Sequence, residues 1–390
     1  MTTVLDFSAA SRLRASDTLY LAQNVVGLMG DDMNLPLGSL NLPFVYISQM
    51  AGVYGDADLS DPSVGHDDSV AIQAGMDAAP VGSVFVVDDA FKIGNVETPS
   101  NSTVLQLMPA SWYGTGSAPT CGFIQAPGTQ CTLRNTNWTS NYNGGSPVSD
   151  YSTIIDHDIK IKGVFFNGNR GNGGVHNACG GNSDIRYTGL ADAYANPGTL
   201  PISTLMFFGV RNLIVEDMFV YDPGWLAFVG GYIDGFDGNI TVVMPQTYDN
   251  QSSPSPSGSR AYASSIRFQG ACRDIRLDCV SGWVDRILLD FVCDAYFEDY
   301  HKAPSAYYPV VYPGTQDNIV VDEIKANLVM SPLRLWSGEG PNNTGSASLQ
   351  ERVFVSKAHG VSFGEIFDID GPSQFAGIHG TTVFDTWSFR

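Results

Sequence analysis

The spacing of apolar residues changes period sharply near residue 82, from that of a helix to that of strands. Between Asp67 and Pro80 the apolar side chains Ile72, Met76 and Ala79 fall at i, i+4 and i+7, one face of a helix. Asp67 or Asp68 stands where a side-chain oxygen can cap the first turn, and Pro80 stands where the helix must end. After Gly82 the pattern becomes that of strands: Ser83-Val-Phe-Val-Val, then Phe91-Lys-Ile-Gly, then Thr103-Val-Leu-Gln-Leu after Pro99-Ser-Asn-Ser. Ahead of the helix, up to Ser63, short apolar runs at Thr18, Leu35 and Phe44 alternate with turn residues and predict small strands.

From Asp158 onward one short phrase recurs, a polar Asn or Asp followed by apolar, any, apolar. It appears as Asp158-Ile-Lys-Ile, Asn212-Leu-Ile-Val, Asn239-Ile-Thr-Val, Asp274-Ile-Arg-Leu and Asn318-Ile-Val-Val. In a stacked repeat each phrase marks a turn that feeds a strand, and Asn and Asp tolerate the left-handed backbone such turns need. The uneven spacing predicts loops between repeats. Two stretches beginning at Asn167-Gly-Asn-Arg and Asp249-Asn-Gln-Ser have the Gly, Ser, Asn and Pro content of surface loops. The aromatic end, Val383-Phe-Asp-Thr-Trp-Ser-Phe-Arg, suits a closing cap or a subunit contact.

Composition sharpens this picture. Hydrophobic residues are 43% and charged residues 15% of 390, with 42 Gly and 21 Pro, which favours many short strands joined by turns. A net charge of −20, from 40 acidic against 20 basic residues, opposes nucleic-acid phosphates and anionic membranes, so neither is an expected partner. Membrane insertion is not expected, since no apolar run has spanning length. The first residues lack the pattern of a secretory signal, which predicts synthesis in the cytoplasm. Cys121, Cys131, Cys179, Cys272, Cys279 and Cys293 form no CxxC pair and are expected to be thiols inside the fold. The histidines show no ligand spacing, so no metal or other cofactor is expected.

The stretch Asp67 to about Leu107, with Asp-Asp-x-x-Ala-Ile-Gln-x, a Gly, an apolar strand, an aromatic-x-Ile-Gly and Pro-Ser-Asn-x-Thr, resembles the opening module of pectate-lyase-like β-helices, polygalacturonases and bacteriophage tailspikes. Asp88-Asp-Ala stands where the family has a Pro-x-Gly turn. The segment Ala15-Ser-Asp-Thr-Leu-Tyr-Leu-Ala-Gln with Leu35-Pro-Leu-Gly-Ser-Leu resembles an element near the start of phage tail fibres. These resemblances imply an all-β chain with a right-handed parallel β-helix over 64–390, plugged by the helix, and a virion-attachment element over 1–63. An amphipathic helix would cover the open apolar end of such a tube.

They also imply a tail spike or fibre protein of a virion, a homotrimer that joins other tail proteins and binds host surface polysaccharide. Cleavage of that polysaccharide, as a lyase or glycoside hydrolase, is open, and a free depolymerase is the alternative. Hydrolysis needs two carboxyl groups flanking the bond. The polygalacturonase series of Asn-x-Asp, Asp-Asp, Gly-His-Gly and Arg-x-Lys is absent from the sequence. Ile155-Asp156-His157 matches three letters common in pectate lyases, and is read first as a polar turn. Two Gly-Trp phrases, Asp222-Pro-Gly-Trp225 and Gly282-Trp283-Val-Asp285-Arg286, nominate Trp225, Trp283 and Arg286 as a sugar-binding set and Asp222 and Asp285 as the acid pair. The bland reading puts both tryptophans in the core.

Overall fold

In a computed structural model of the chain, the residues described are 18–21, 33–36, 43–106, 119–129, 131–138, 154–169, 203–223, 226–243, 264–283, 287–292, 316–329, 331–336, 349–362, 367–370, 377–379 and 383–389. β1 (Thr18–Leu21) and β2 (Met33–Pro36) pair with each other, antiparallel. β3 (Phe44–Tyr46) is followed by α1 (Ser69–Ala78), the strand trio β4 (Val84–Val86), β5 (Ala90–Ile93) and β6 (Val96–Thr98), and a second trio, β7 (Ser102–Leu105), β8 (Gly122–Gln125) and β9 (Leu133–Asn135). β10 (Asp156–Lys162) and β11 (Phe165–Asn167) lead into the long strands β12 (Ser203–Tyr221) and β13 (Leu226–Val243), after which short strands alternate with long ones: β14 (Ser264–Gln269), β15 (Cys272–Trp283), β16 (Ile287–Val292), β17 (Gln316–Val329), β18 (Ser331–Trp336) and β19 (Leu349–Ser362). β20 (Phe367–Asp370), β21 (Gly377–His379) and β22 (Val383–Phe389) complete the order.

β3 to β22 belong to one sheet, and the registered pairings among them are parallel. The chain is mostly β, and successive passes visit three ladders in a fixed order, consistent with the expected β-helix. The first ladder runs Phe85, Val104, Ile161, Val215, Gly238, Leu277, Val321, Val355. The second runs Phe91, Phe123 in one stretch and Phe166, Val220, Val242, Gly282, Ala326 in the next, with Phe166 paired to Phe123. The third runs Val96, Leu133, Leu205, Phe228, Ile266, Leu289, Leu333. These rows form one continuous core. Side chains one pass apart lie about 4.8 Å apart, close enough for rings to pack down a column. Phe91 meets Phe123 at 6.0 Å and Phe123 meets Phe166 at 5.6 Å.

α1 lies where its pattern predicts, with Ile72 and Met76 buried in that core beside Met50. Of the two acids expected to supply an oxygen to the first turn, Asp67 does so and Asp68 does not. Asp68 occupies the N-cap but makes no side-chain cap; its buried carboxylate instead accepts the amides of Tyr54 at 2.9 Å and Gly55 at 3.1 Å. Asp67 accepts the amide of Ser69 at 3.0 Å. Gln73 explains its place in the motif: its amide oxygen accepts Glu97 N–H at 2.6 Å and its NH₂ reaches Glu97 C=O at 3.3 Å, pinning the helix to β6. Asp88, after β4, accepts from Ser48 through its amide at 3.1 Å and its hydroxyl at 2.6 Å.

The recurring phrase resolves into a corner. Asn101, Asp158, Asn212, Asp274, Asn318 and Arg352 each immediately precede a residue of one row (Ser102, Ile159, Leu213, Ile275, Ile319, Val353), and each has a φ of +52 to +58°. The left-handed turn is thus repeated pass after pass, and Asn318 Nδ2 donates to Asp274 Oδ1 at 2.6 Å across one step. Gly235 fills the same place in β13. Asn239, the third phrase, departs from the others: it sits at the next corner, paired with Asp217. Ahead of residue 64, β3 pairs with β4, and Ile47, Met50 and Leu59 are buried.

Other expectations resolve locally. Asn167 and Asn169, expected in a surface loop, are buried at the end of β11, where Asn167 Nδ2 donates to Leu59 C=O at 2.7 Å and Asn169 Nδ2 to Gln125 C=O at 3.0 Å. The loop expected from Asp249 lies outside the described residues, as do Cys179 and Cys293. Cys131 and Cys272 are buried thiols whose pKa burial pushes up to about 12, whereas Cys121 and Cys279 are half-exposed. Asp156 is a buried clamp, accepting Asn135 Nδ2 at 2.6 Å, Asn137 N at 2.7 Å and Asn137 Nδ2 at 2.9 Å.

On the outward side of the third ladder, Arg267, Asp290 and Arg334 occupy one row and are almost fully buried. Arg267 Nε donates to Asp290 Oδ2 at 2.8 Å, and Arg334 donates to both carboxylate oxygens at 2.8 Å. Removing the shared acid leaves two guanidiniums buried without it. Asp290→Ala is expected to cost about 3–5 kcal/mol of stability, read by denaturant unfolding. A loss below about 1 kcal/mol would mean that water reaches this row.

Candidate functional site

Because strand side chains alternate, the residues flanking each core position of the second ladder must point away from the core. They form two columns on the outside of that ladder. One runs Phe165, Phe219, Thr241, Ser281, Lys325, His359, and the other runs Lys92, Ile124, Asn167, Tyr221, Val243, Trp283. Their early members are covered. Leu59, Ala90, Ile124, Phe165, Phe219 and Val243 form a second buried cluster, with Ala57 and Tyr221 packed against it, and Lys92 Nζ is held by the carbonyls of Pro62 at 3.2 Å, Val64 at 3.2 Å and Gly65 at 2.5 Å. The buried ammonium closes the 56–65 segment over the first passes.

Farther along, the face opens. Tyr221, Thr241, Ser281, Trp283, Lys325 and His359 are all half-buried. Tyr221 and Trp283 are two steps apart in their column, roughly 9.5 Å, with Val243 between them. Beside them Thr241 and Ser281 hydroxyls share a hydrogen bond at 2.8 Å. Lys325 Nζ pairs with Glu323 Oε2 at 2.8 Å, and His359 Nε2 lies 3.9 Å from Glu323 Oε1. These contacts hold the Glu323 carboxyl below its usual range, the hydrogen bond from Lys325 being the largest cause. An aromatic strip beside hydroxyl and charged groups can take the apolar face of a sugar ring and its hydroxyls together.

Of the residues nominated from sequence, the structure brings Trp283 to this face. Asp222 lies next to it but behind: it is 5% exposed, holds a φ of +48°, and its amide donates to Val243 C=O at 2.8 Å. It is the turn residue that ends β12, as expected of Asp in the Tyr-Asp-Pro-Gly context. Trp225, Asp285 and Arg286 lie outside the described residues. Sequence reasoning missed Tyr221, Thr241, Ser281, Lys325 and His359. The signal available was that Tyr221 and Ser281 sit in or beside the two Gly-Trp phrases; Lys325 and His359 carry none.

A second group lies at the corner between the first and second ladders, where β12, β13 and β15 change register. Bulges there bring Glu216 and Asp278 near Asp237 and Asp322. Lys162 pairs with Glu216 at 2.6 Å, and Arg276 with Asp278 at 3.0 Å and Asp322 at 3.2 Å. Asp237 has its carboxyl held above the usual range, by partial desolvation and then by the charge of Asp278, with Arg276 opposing. Asp237 is exposed, and a carboxyl whose pKa is raised holds its proton to higher pH, the direction that proton donation to a glycosidic oxygen calls for. Among the described residues no group of three or more His, Cys, Asp or Glu is placed to hold a metal ion.

No protein-family model matches the chain, and no curated protein does. Several solved structures are similar at low identity. A polygalacturonase from Erwinia carotovora ssp. carotovora is 10% identical, with 84% of this chain and 95% of that one covered at a TM-score of 0.35. A family 28 exopolygalacturonase of Yersinia enterocolitica is 11% identical over 92% and 79%, at 0.33. ORF18 of Geobacillus virus E2 is 10% identical over 97% and 72%, at 0.31. No helix among the described residues is long and apolar enough to cross a membrane.

The Asp237 environment gives a sign that can be tested. A carboxyl raised in the folded state binds its proton more tightly there than when unfolded. Its contribution to stability is therefore present at low pH and is lost as pH rises through the folded value. Asp278→Asn removes a negative neighbour and is expected to lower the Asp237 midpoint, whereas Arg276→Gln is expected to raise it, both read by carboxyl-carbon NMR titration. Midpoints unmoved by either change would show that these charges do not face Asp237.

Proposed function

We propose that the chain is a right-handed parallel β-helix, plugged by α1, that acts as a trimeric tail spike or fibre protein of a virion and holds host surface polysaccharide along the outside of its second ladder. The observation that carries this reading is the half-buried strip of Tyr221 and Trp283 beside Thr241, Ser281, Lys325 and His359. Rings on a rigid sheet lose little entropy when a sugar stacks on them, and the flanking polar column supplies hydrogen bonds in fixed register. The segment ahead of β3, which contains the β1–β2 pair, is the part we assign to attachment.

Trp283→Ala is expected to weaken binding of host capsule by about 1–3 kcal/mol, with little change in melting temperature because the ring is half-exposed. A large fall in melting temperature with unchanged affinity would make Trp283 a packing residue and remove the support for this face.

The second reading, a depolymerase, is favoured by one observation, the raised carboxyl of Asp237 among Glu216, Asp278 and Asp322. Incubation with host capsule should then release new reducing ends, and Asp237→Asn should abolish the release while leaving binding intact. Binding without release, in the unaltered protein, would leave recognition as the whole function.

A further inference from the structure

At the corner where the chain passes from the second ladder to the third, four buried side-chain oxygens find no hydrogen-bond partner among the described residues. They are Gln125 Oε1, Thr132 Oγ1, Asn169 Oδ1 and Thr204 Oγ1, on residues at most 1% exposed. Buried polar groups in native folds are nearly always met by a partner, so four orphans at one corner call for a common one. Two successive passes supply a pair each: Gln125 and Thr132 flank the connection from β8 to β9, and Asn169 and Thr204 flank that from β11 to β12. Contacts tie the pairs together. Thr132 N donates to Thr204 C=O at 2.9 Å, and Asn169 Nδ2 donates to Gln125 C=O at 3.0 Å. A Cβ on Gly168 would lie 2.7 Å from Thr204 Oγ1 and 2.7 Å from Asp222 C=O, which brings the next pass to the same corner.

The two amides are fixed in orientation. Gln125 Nε2 donates to Thr129 C=O at 3.1 Å and Asn169 Nδ2 to Gln125 C=O, so the remaining atom of each is an oxygen, which only accepts. The threonines stand one pass apart, since Leu133 pairs with Leu205. Their hydroxyls are then about 4.8 Å apart, too far to bond each other, and a point midway lies about 2.4 Å from each. That is the ligand distance of a hard, oxygen-seeking cation about the size of Ca²⁺. We propose that this corner binds one such cation between two passes, on the oxygens of Gln125, Thr132, Asn169 and Thr204. All four ligands are neutral, so burial penalises a double charge. A sodium ion has the required size with a single charge, and Asp222, 5% exposed, places one acid at the same corner. The ion ties Asn169 and Thr204, on either side of residues 170–202, to the pass before them, and so holds the register of the second and third ladders where the connection between them is longest.

The test uses the full chain, dialysed free of sodium into choline chloride, with melting followed as NaCl replaces choline chloride at constant ionic strength so that screening is unchanged. The melting temperature is expected to rise with sodium and saturate, as for a ligand that binds the folded state alone. Thr132→Val and Thr204→Val keep the shape of the side chain and remove the oxygen, and each is expected to lose the sodium-dependent rise. Thr103→Val, on β7 away from the corner, is expected to keep it. In crystals of the unaltered protein grown in NaCl, a peak about 2.4 Å from the four oxygens is expected. These distances decide the matter even if a variant fails to fold. A peak at about 2.8 Å identifies an ordered water and overturns the proposal, as does a melting temperature that sodium does not move. A rise given by CaCl₂ and not by NaCl overturns the choice of a singly charged ion.

Discussion

The interaction on which this structure depends is the parallel hydrogen bonding between one pass of the chain and the next. It fixes residues one pass apart in a single column, and because side chains alternate along a strand, a column is wholly inward or wholly outward. A slip of one residue in any pass would exchange Phe166, Val220 and Val242 for Asn167, Tyr221 and Val243 in the core. The core rows tolerate no such exchange, so the outward columns are specified as firmly as the inward ones. A recognition surface built this way needs no separate framework.

Register must also survive every corner. The left-handed residues at Asn101, Asp158, Asn212, Asp274 and Asn318 turn each pass into the first ladder at the same point. Arg352 adopts the same backbone, φ +52°, with its guanidinium held by Asp317 at 2.7 Å. The corner between the first and second ladders is looser. There the passes differ in length by one residue, and the bulges collect acidic groups that the straight ladders could not hold so close together.

Much of the fold was legible because local chemistry and tertiary role coincide. Ile72 and Met76 read as a buried helix face, and Asn212 or Asp274 read as turn residues feeding strands, and the structure uses them so. The candidate face was much less legible. Tyr221, Thr241, Ser281, Lys325 and His359 become neighbours only through register across passes of unequal length, and nothing local to each marks it. Trp283 was visible because it is a large ring after a glycine. Asp222 was visible as an acid, but what its local sequence encodes is a turn, and the turn buries it.

The account stands on the alternation across β15, where the open face and the core share one strand. Single cysteines at positions 280, 281 and 283, after replacement of the native thiols, can be followed by their rates of alkylation in the folded protein. The account predicts fast modification at 281 and 283 and protection at 280, since Val280 is buried and Ser281 and Trp283 are half-exposed. Protection at 281 and 283 with reaction at 280 would reverse the faces, place Trp283 in the core, and contradict the account.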